Sequence, residues 1–229
     1  MTVNLISYTQ PYEGAIDRDA IKDLQELVAY CARVSNPGNQ HNTETSEKLI
    51  KYMMEHAHWS PFEMVSVCME IVTTRDIGRQ ILRHRSFSFQ EFSQRYALVT
   101  DAQSGLDFAT RECRLQDPVN RQNSIPVDKG NIEQAYLEHV WIKKQIDIIN
   151  LCEETYQWAT KNGIAKEQAR AVLPEGLTNS RMYVSGTLRS WIHYIAVRTE
   201  DGTQKEHTLI AKECAKVIAK VFPLINETI

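Results

Sequence analysis

No stretch of the 229-residue sequence approaches the roughly 20 consecutive apolar residues that a membrane-crossing helix needs, and Met1 to Leu5 lead into polar positions. The expectation is a cytoplasmic protein. Cysteine is sparse: Cys31, Cys68, Cys113, Cys152 and Cys214 stand singly, an odd total with no CxxC pair. That argues against a disulfide framework and against a cysteine zinc site. His56 and His58 lie two apart and on a regular helix would point apart, so no metal site is expected. No G-x-G-x-x-G occurs, which removes a Rossmann crevice. Charge of one sign is also lacking. A net charge of -3 gives no global attraction to a polyanion, so a nucleic-acid partner would need a local basic patch.

What remains is an ordinary globular composition, 42% apolar and 24% charged, without repeats or a linker. The length suits one domain spanning 1–229. Val3 to Tyr8 alternates like a strand, and Ala20 to Ala32 has helical apolar spacing until Ser35-Asn36-Pro37-Gly38 stops it. A second helix starts at Thr45 or Ser46 and runs to about His56. Met64 to Thr74 alternates as a strand buried mainly on one face, and Thr74 then caps a helix from Arg75 to about Arg83. On that helix Arg75, Arg79 and Arg83 recur every four residues, predicting one guanidinium-bearing side and one buried side with Ile77 and Ile81.

Residues from about 100 to 130 form a polar connection, of the length that is usually functional or mobile. A long amphipathic helix with Ile132, Tyr136, Val140, Ile146, Ile149 and Tyr156 follows, ends at Asn162-Gly163, and is expected to serve mostly as core packing. A short helical piece ending at Leu173-Pro174, a strand-like Arg181 to Ser185, a helix around Ser190 to Val197 and a closing helix from Gln204 to Val221 complete the chain. Three strand-like segments among five or so helices predict an α+β fold, a small antiparallel sheet flanked by helices.

Chemistry is concentrated in residues 83 to 96, Arg-His-Arg-Ser-Phe-Ser-Phe-Gln-Glu-Phe-Ser-Gln-Arg-Tyr. Guanidinium groups match phosphate bidentately, so two arginines and a serine suffice to hold a monophosphate, and Glu91 suits a sugar hydroxyl or base edge. The bland alternative is a solvated basic helix end with salt bridges. Two other readings compete: a regulatory module that keeps only the phosphate cradle, and a nucleic-acid binder using residues 75 to 95. Ser93 has no predictable base beside it and two arginines near it, so it reads as a substrate ligand rather than a nucleophile.

Arg83-His84-Arg85, seven residues, then Ser93, one residue and Arg95 resembles the signature of flavin-dependent thymidylate synthases, the ThyX family. Companion segments agree in order: Ala32-Arg33-Val34-Ser35, His58-Trp59-Ser60-Pro61-Phe62-Glu63, Ala169-Arg170-Ala171-Val172-Leu173-Pro174, Arg189-Ser190-Trp191-Ile192-His193-Tyr194 with Arg198, and Gln204 with Glu206. Thr187 stands where relatives often have Asn, and Gly202-Thr203 where many have His-Ala.

The resemblance implies a ThyX-like fold and reductive methylation of dUMP to dTMP in de novo dTMP biosynthesis. The implied one-carbon donor is 5,10-methylenetetrahydrofolate and the reductant is NADPH acting through FAD, without a cysteine nucleophile. It implies a homotetramer with active sites at subunit interfaces. Carried onto matching positions, Gln80, Arg83, Glu91, Phe92, Ser93, Gln94, Arg95, Arg170 and Arg198 would contact dUMP, with Arg198 activating the base. Ser60, Arg83, His84, Arg85, Glu91, Thr187, Arg189 and His193 would contact FAD, with Ser35, His58 and Glu63 as further flavin candidates.

Overall fold

The computed structural model describes residues 1–12, 21–99 and 107–228. In chain order its strands and helices are β1 (Thr2–Tyr8), α1 (Leu24–Ala32), α2 (Ser46–Glu55), β2 (Ser66–Thr74), α3 (Arg75–Ile81), β3 (Ser88–Glu91), β4 (Arg114–Gln116), β5 (Ser124–Pro126), α4 (Ile132–Lys161), α5 (Lys166–Ala169), β6 (Asn179–Thr187), α6 (Leu188–Thr199) and α7 (Lys205–Ile218). Four strands form an antiparallel sheet in the order β1-β2-β6-β3, and β4 pairs with β5 as a separate hairpin. The expected small antiparallel sheet flanked by helices is therefore present.

The alternation in β2 decides how the sheet packs. Val67, Met69 and Ile71 are fully covered, opposite Met182 and Val184 of β6, while the intervening positions are only half-buried. Trp191, Tyr194 and Ile195 of α6, with Ile210, Cys214 and Ile218 of α7, join the same core. Trp191 is buried only because its indole N–H has a partner, donating to the Val67 carbonyl across 3.0 Å. The register pairs Ser66 with Thr187 and Thr74 with Asn179. Since β2 runs straight into α3 and β6 straight into α6, the two helices leave the central strand pair from opposite ends. A smaller cluster of Val99, Tyr156, Ala159, Ala169 and Leu173 packs the end of α4 against α5 and the segment after β3.

Several expectations need correction. The first helix begins at Leu24 because the Asp23 carboxylate accepts the Glu26 N–H across 2.8 Å and caps it there; Ala20 lies outside the described residues. The Arg75 helix ends at Ile81, and Arg75 itself is buried, paired with Glu91 and Glu175 at 3.2 Å each. The connection expected between 100 and 130 contains the β4–β5 hairpin in its described part, and 100–106 lie outside it. His56 and His58 do not point apart. Ala57 takes a positive φ of 56°, which breaks the helical path and leaves the two rings 6.1 Å apart, both against Tyr52. Finally, α4 is not core packing: within this chain it buries only Gln145, Tyr156 and Ala159 among the described contacts, and most of its large apolar residues are exposed.

Candidate active site

α3 ends in a turn that throws consecutive side chains to opposite sides. Arg83 and Arg85 are exposed, and His84 between them turns inward. The His84 ring stands edge-on to Tyr194 of α6, with centroids 4.9 Å apart. Arg198, in the last turn of α6, donates from Nε to His84 Nε2 across 2.8 Å. A guanidinium can only donate, so Nε2 is an acceptor and the ring is neutral with its proton on Nδ1. Burial first, then the charges of Arg198 and His193, bring the His84 pKa down to about 4, which agrees with that assignment. The two terminal nitrogens of Arg198 take no partner among the described residues.

Beside this pair lies a cleft of about 510 Å³ lined by Trp59, Glu63, Ser86, Arg189, Ser190, Ile192, His193 and Ala196. Two local structures build it. Ser60 opens a 3-10 turn, Ser60–Glu63, that carries Glu63 to an ion pair with Arg189. Thr187 caps α6 by accepting the Ser190 N–H across 3.3 Å, which starts the helix so that Arg189 and His193 fall one turn apart. Thus Glu63, Arg189 and His193 of the flavin candidates line one cleft, with Ser60 and Thr187 shaping it. Ser35 sits on an exposed loop after α1, and His58 is exposed against Tyr52; no contact brings either to the cleft among the described residues.

The nucleotide candidates fall into two groups. Gln80 belongs with His84 and Arg198: its Nε2 donates to Gln204 Oε1 across 2.8 Å, and its Oε1 lies 3.2 Å from His207 Nδ1. Ser93, Gln94 and Arg95 form a turn held to α5, where Arg95 pairs with Glu167 at 3.3 Å and Lys166 donates to the Tyr96 carbonyl across 2.7 Å. Arg170 follows α5 directly. Gln94 is buried, yet its Nε2 has no partner among the described residues. Between the groups, Glu91 accepts from Arg75 (3.2 Å), Ser180 (2.9 Å) and Arg79 (3.4 Å), and Phe92 packs on the Val99–Tyr156 cluster. Arg95 is held toward Glu167 of α5, whereas Arg83 stands exposed at the end of α3.

Two features escaped the sequence reading. Arg114 and Arg111 converge on Glu206, at 2.8 Å and 3.2 Å. Burial is the largest single influence and raises the Glu206 pKa, but hydrogen bonds from Arg114, the Glu206 backbone N–H and Gln204, with the charge of Arg111, together outweigh it and hold the carboxyl at about 2. The other is the buried pair His207 and Tyr194 behind His84, 3.1 Å apart. A lone histidine on the apolar face of a helix carries no pattern; only its neighbour Gln204-x-Glu206 hinted at polar work there. No group of three or more His, Cys, Asp or Glu side chains among the described residues could hold a metal.

The sequence matches the family described as thymidylate synthase complementing protein over residues 18–224. It is 43% identical over 229 residues to a probable flavin-dependent thymidylate synthase of Paramecium bursaria Chlorella virus 1, covering 100% of this chain and 99% of that one. A flavin-dependent thymidylate synthase of Synechocystis sp. is also 43% identical, over 98% of this chain and 97% of its own length. Among solved structures, the UMP/dUMP methylase PolB from Streptomyces cacaoi, bound with 5-Br dUMP, matches with a TM-score of 0.76 at 25% identity, over 99% of this chain and 93% of that one. These full-length likenesses, on a chain whose Arg83-His84-Arg85 turn and Arg198 meet in space, mean that the protein belongs to the flavin-dependent thymidylate synthase family.

Proposed function

We propose that the protein, acting as one domain, methylates dUMP to dTMP, with 5,10-methylenetetrahydrofolate giving the methylene group and NADPH the reducing equivalents. A bound FAD would carry those reducing equivalents. The residues fit such a group by the chemistry of their donors: Trp59 and Ile192 offer flat and aliphatic walls, while Ser86, Arg189 and His193 offer polar edges. Arg83 and Arg85, exposed and without an ion pair among the described residues, suit a pyrophosphate. His84, Ser60, Thr187 and Glu91, with Glu63, Ser35 and His58, are the remaining residues assigned to this cofactor.

Gln80, Arg83, Glu91, Phe92, Ser93, Gln94, Arg95, Arg170 and Arg198 are assigned to dUMP. The exposed apolar residues of α4 suit a homotetramer, whose subunit interfaces would share these sites. The reading is carried by one observation: Arg198 is fixed through Nε by a neutral His84, leaving its terminal nitrogens open. An open guanidinium fork aimed at a uracil edge favours negative charge at N3, which raises electron density at C5, where the methyl group is added. A thiol route has little support in this chain. Burial raises the pKa of Cys31, Cys68, Cys152 and Cys214, against the thiolate that such a route requires. The cytoplasm is the proposed location.

Purified protein should be yellow and should form dTMP from dUMP, 5,10-methylenetetrahydrofolate and NADPH together. Arg198→Ala should keep its flavin spectrum and lose kcat by about 100- to 1000-fold, the effect of removing one preorganised charged donor. A colourless wild-type protein inactive after added FAD would defeat the activity, and near-normal turnover in Arg198→Ala would defeat the role of that residue.

A further inference from the structure

His207 on α7 has no solvent exposure, and both its ring nitrogens are engaged: Nδ1 with Gln80 Oε1 at 3.2 Å and Nε2 with the Tyr194 hydroxyl at 3.1 Å. The direction of each bond follows from the far end of the network. Glu206 is an ionised carboxylate flanked by Arg114 and Arg111, so it only accepts. Gln204 therefore presents its amide N–H to Glu206, across 3.0 Å, and its carbonyl to Gln80, whose Nε2 donates across 2.8 Å. That leaves the Gln80 carbonyl facing His207. Nδ1 must then carry the ring proton, and Nε2 must accept from Tyr194. A neutral imidazole is what burial and the nearby Arg198 favour, with the His207 pKa down to about 3.

We propose that His207 is a positioning residue of the substrate site, holding the Gln80 amide with one nitrogen and, through Tyr194, the His84 ring that accepts from Arg198 with the other. The inference rests on the assignment of Gln80 and Arg198 to dUMP. A glutamine amide can turn over with almost no change in shape, exchanging donor for acceptor. Anchored to His207 by oxygen and to Gln204 by nitrogen, Gln80 offers a ligand one remaining lone pair and one remaining hydrogen in fixed places. Tyr194 meets His84 edge-on at 4.9 Å, so fixing the Tyr194 hydroxyl keeps His84 Nε2 in line with the Arg198 N–H. His207 is hydrogen-bonded to Gln80 and Tyr194, and its ring also stands edge-on to His84 at 6.4 Å, but no hydrogen bond joins it to Arg198 among the described residues.

Three variants separate the two arms. His207→Asn keeps a donor where Nδ1 stood and loses the Tyr194 acceptor; His207→Gln puts an acceptor near the Nε2 position and loses the Gln80 donor; His207→Leu removes both. The Asn variant should bind dUMP as the wild type does and lose about tenfold in kcat. The Gln variant should keep kcat and lose about tenfold in dUMP affinity, measured by calorimetry on the flavin-loaded protein. The Leu variant should lose both. Nitrogen-15 NMR of the wild type should show His207 as the Nδ1–H tautomer, a readout that needs no turnover. An Nε2–H or charged His207, or a folded Leu variant with affinity and kcat both within about twofold of wild type, would overturn the proposal. Should the Leu variant not fold, the opposite losses of the Asn and Gln variants decide it, and equal losses in both would count against it. A wild-type protein that binds dUMP but forms no dTMP would sink the activity while leaving the tautomer and the affinity arm to judge His207.

Discussion

A neutral histidine beside a guanidinium makes a fold sensitive to acid. Burial, then Arg198, depress the pKa of His84 to about 4 and of His207 to about 3, whereas both titrate near 6.5 once unfolded. Between those values the unfolded chain binds protons that the native chain refuses. The stability is therefore fully present above about pH 6.5 and is lost as the pH falls through the native values, by at most about 1.4 kcal/mol per pH unit for each histidine. Glu206 acts in the same direction at lower pH, since its native value of about 2 lies below the ordinary 4.5. The melting temperature should fall steadily from pH 6.5 to pH 4, and His207→Gln should flatten that slope; identical slopes in the two proteins would speak against a neutral buried His207. At this scale the arginine signature and its companion segments were legible as residue types at fixed spacing. The bond between Arg198 and His84 was not, because it joins positions 114 apart.

The elements differ in how plainly the sequence announces them. β1 and β2 repeat every second residue, and one face of each meets the core, so alternation located them, while β6 read as strand-like only over Arg181 to Ser185, the middle of its Asn179–Thr187 span. β3 did not show, because Ser88 to Glu91 is four residues long, only half-covered, and embedded in a cluster that reads as charge. The β4–β5 hairpin pairs three residues on each strand, too few for any period to appear. The junction between β6 and α6 hides a further constraint. Gly186 lies against Phe87, and a methyl group added there would fall on the Phe87 ring, which is wedged against Trp191 at 4.4 Å. Gly78 is also crowded, but a methyl group there would meet only the flexible tip of Met182, at 2.8 Å. Gly186→Ala should cost about 1–3 kcal/mol and loosen the flavin, because moving Phe87 moves the turn that carries His84 and Ser86. Gly78→Ala should stay near neutral, since helix propensity returns up to about 1 kcal/mol. Equal melting temperatures for the two variants would contradict this ordering.

Amphipathicity reveals that a helix has an apolar side, and it is silent on which molecule covers that side. α4 is 30 residues long, hence about 45 Å, and it leaves Ile132 86%, Leu151 64% and Trp158 60% exposed. Leu137, Trp141, Ile148, Leu151 and Trp158, all exposed, follow one another at intervals of four, seven, three and seven, the seam by which one helix packs on another. A monomer seldom leaves an apolar stripe of that length in water. Covering Leu151 alone would contribute about 2 kcal/mol per copy. The proposed shared site would draw its phosphate-binding arginines from more than one copy of the chain. Leu151→Glu adds a charge at a site exposed in the isolated chain, so the fold should survive while the subunit contact does not. Light scattering should find wild type at four times the 26.4 kDa chain and the variant at a smaller multiple. Turnover and dUMP affinity should fall together in the variant, by more than about tenfold, because each phosphate site would have lost half its arginines. A dispersed Leu151→Glu protein that still bound and methylated dUMP would place the whole site on one chain, and a monomeric wild type would leave α4 without its proposed partner.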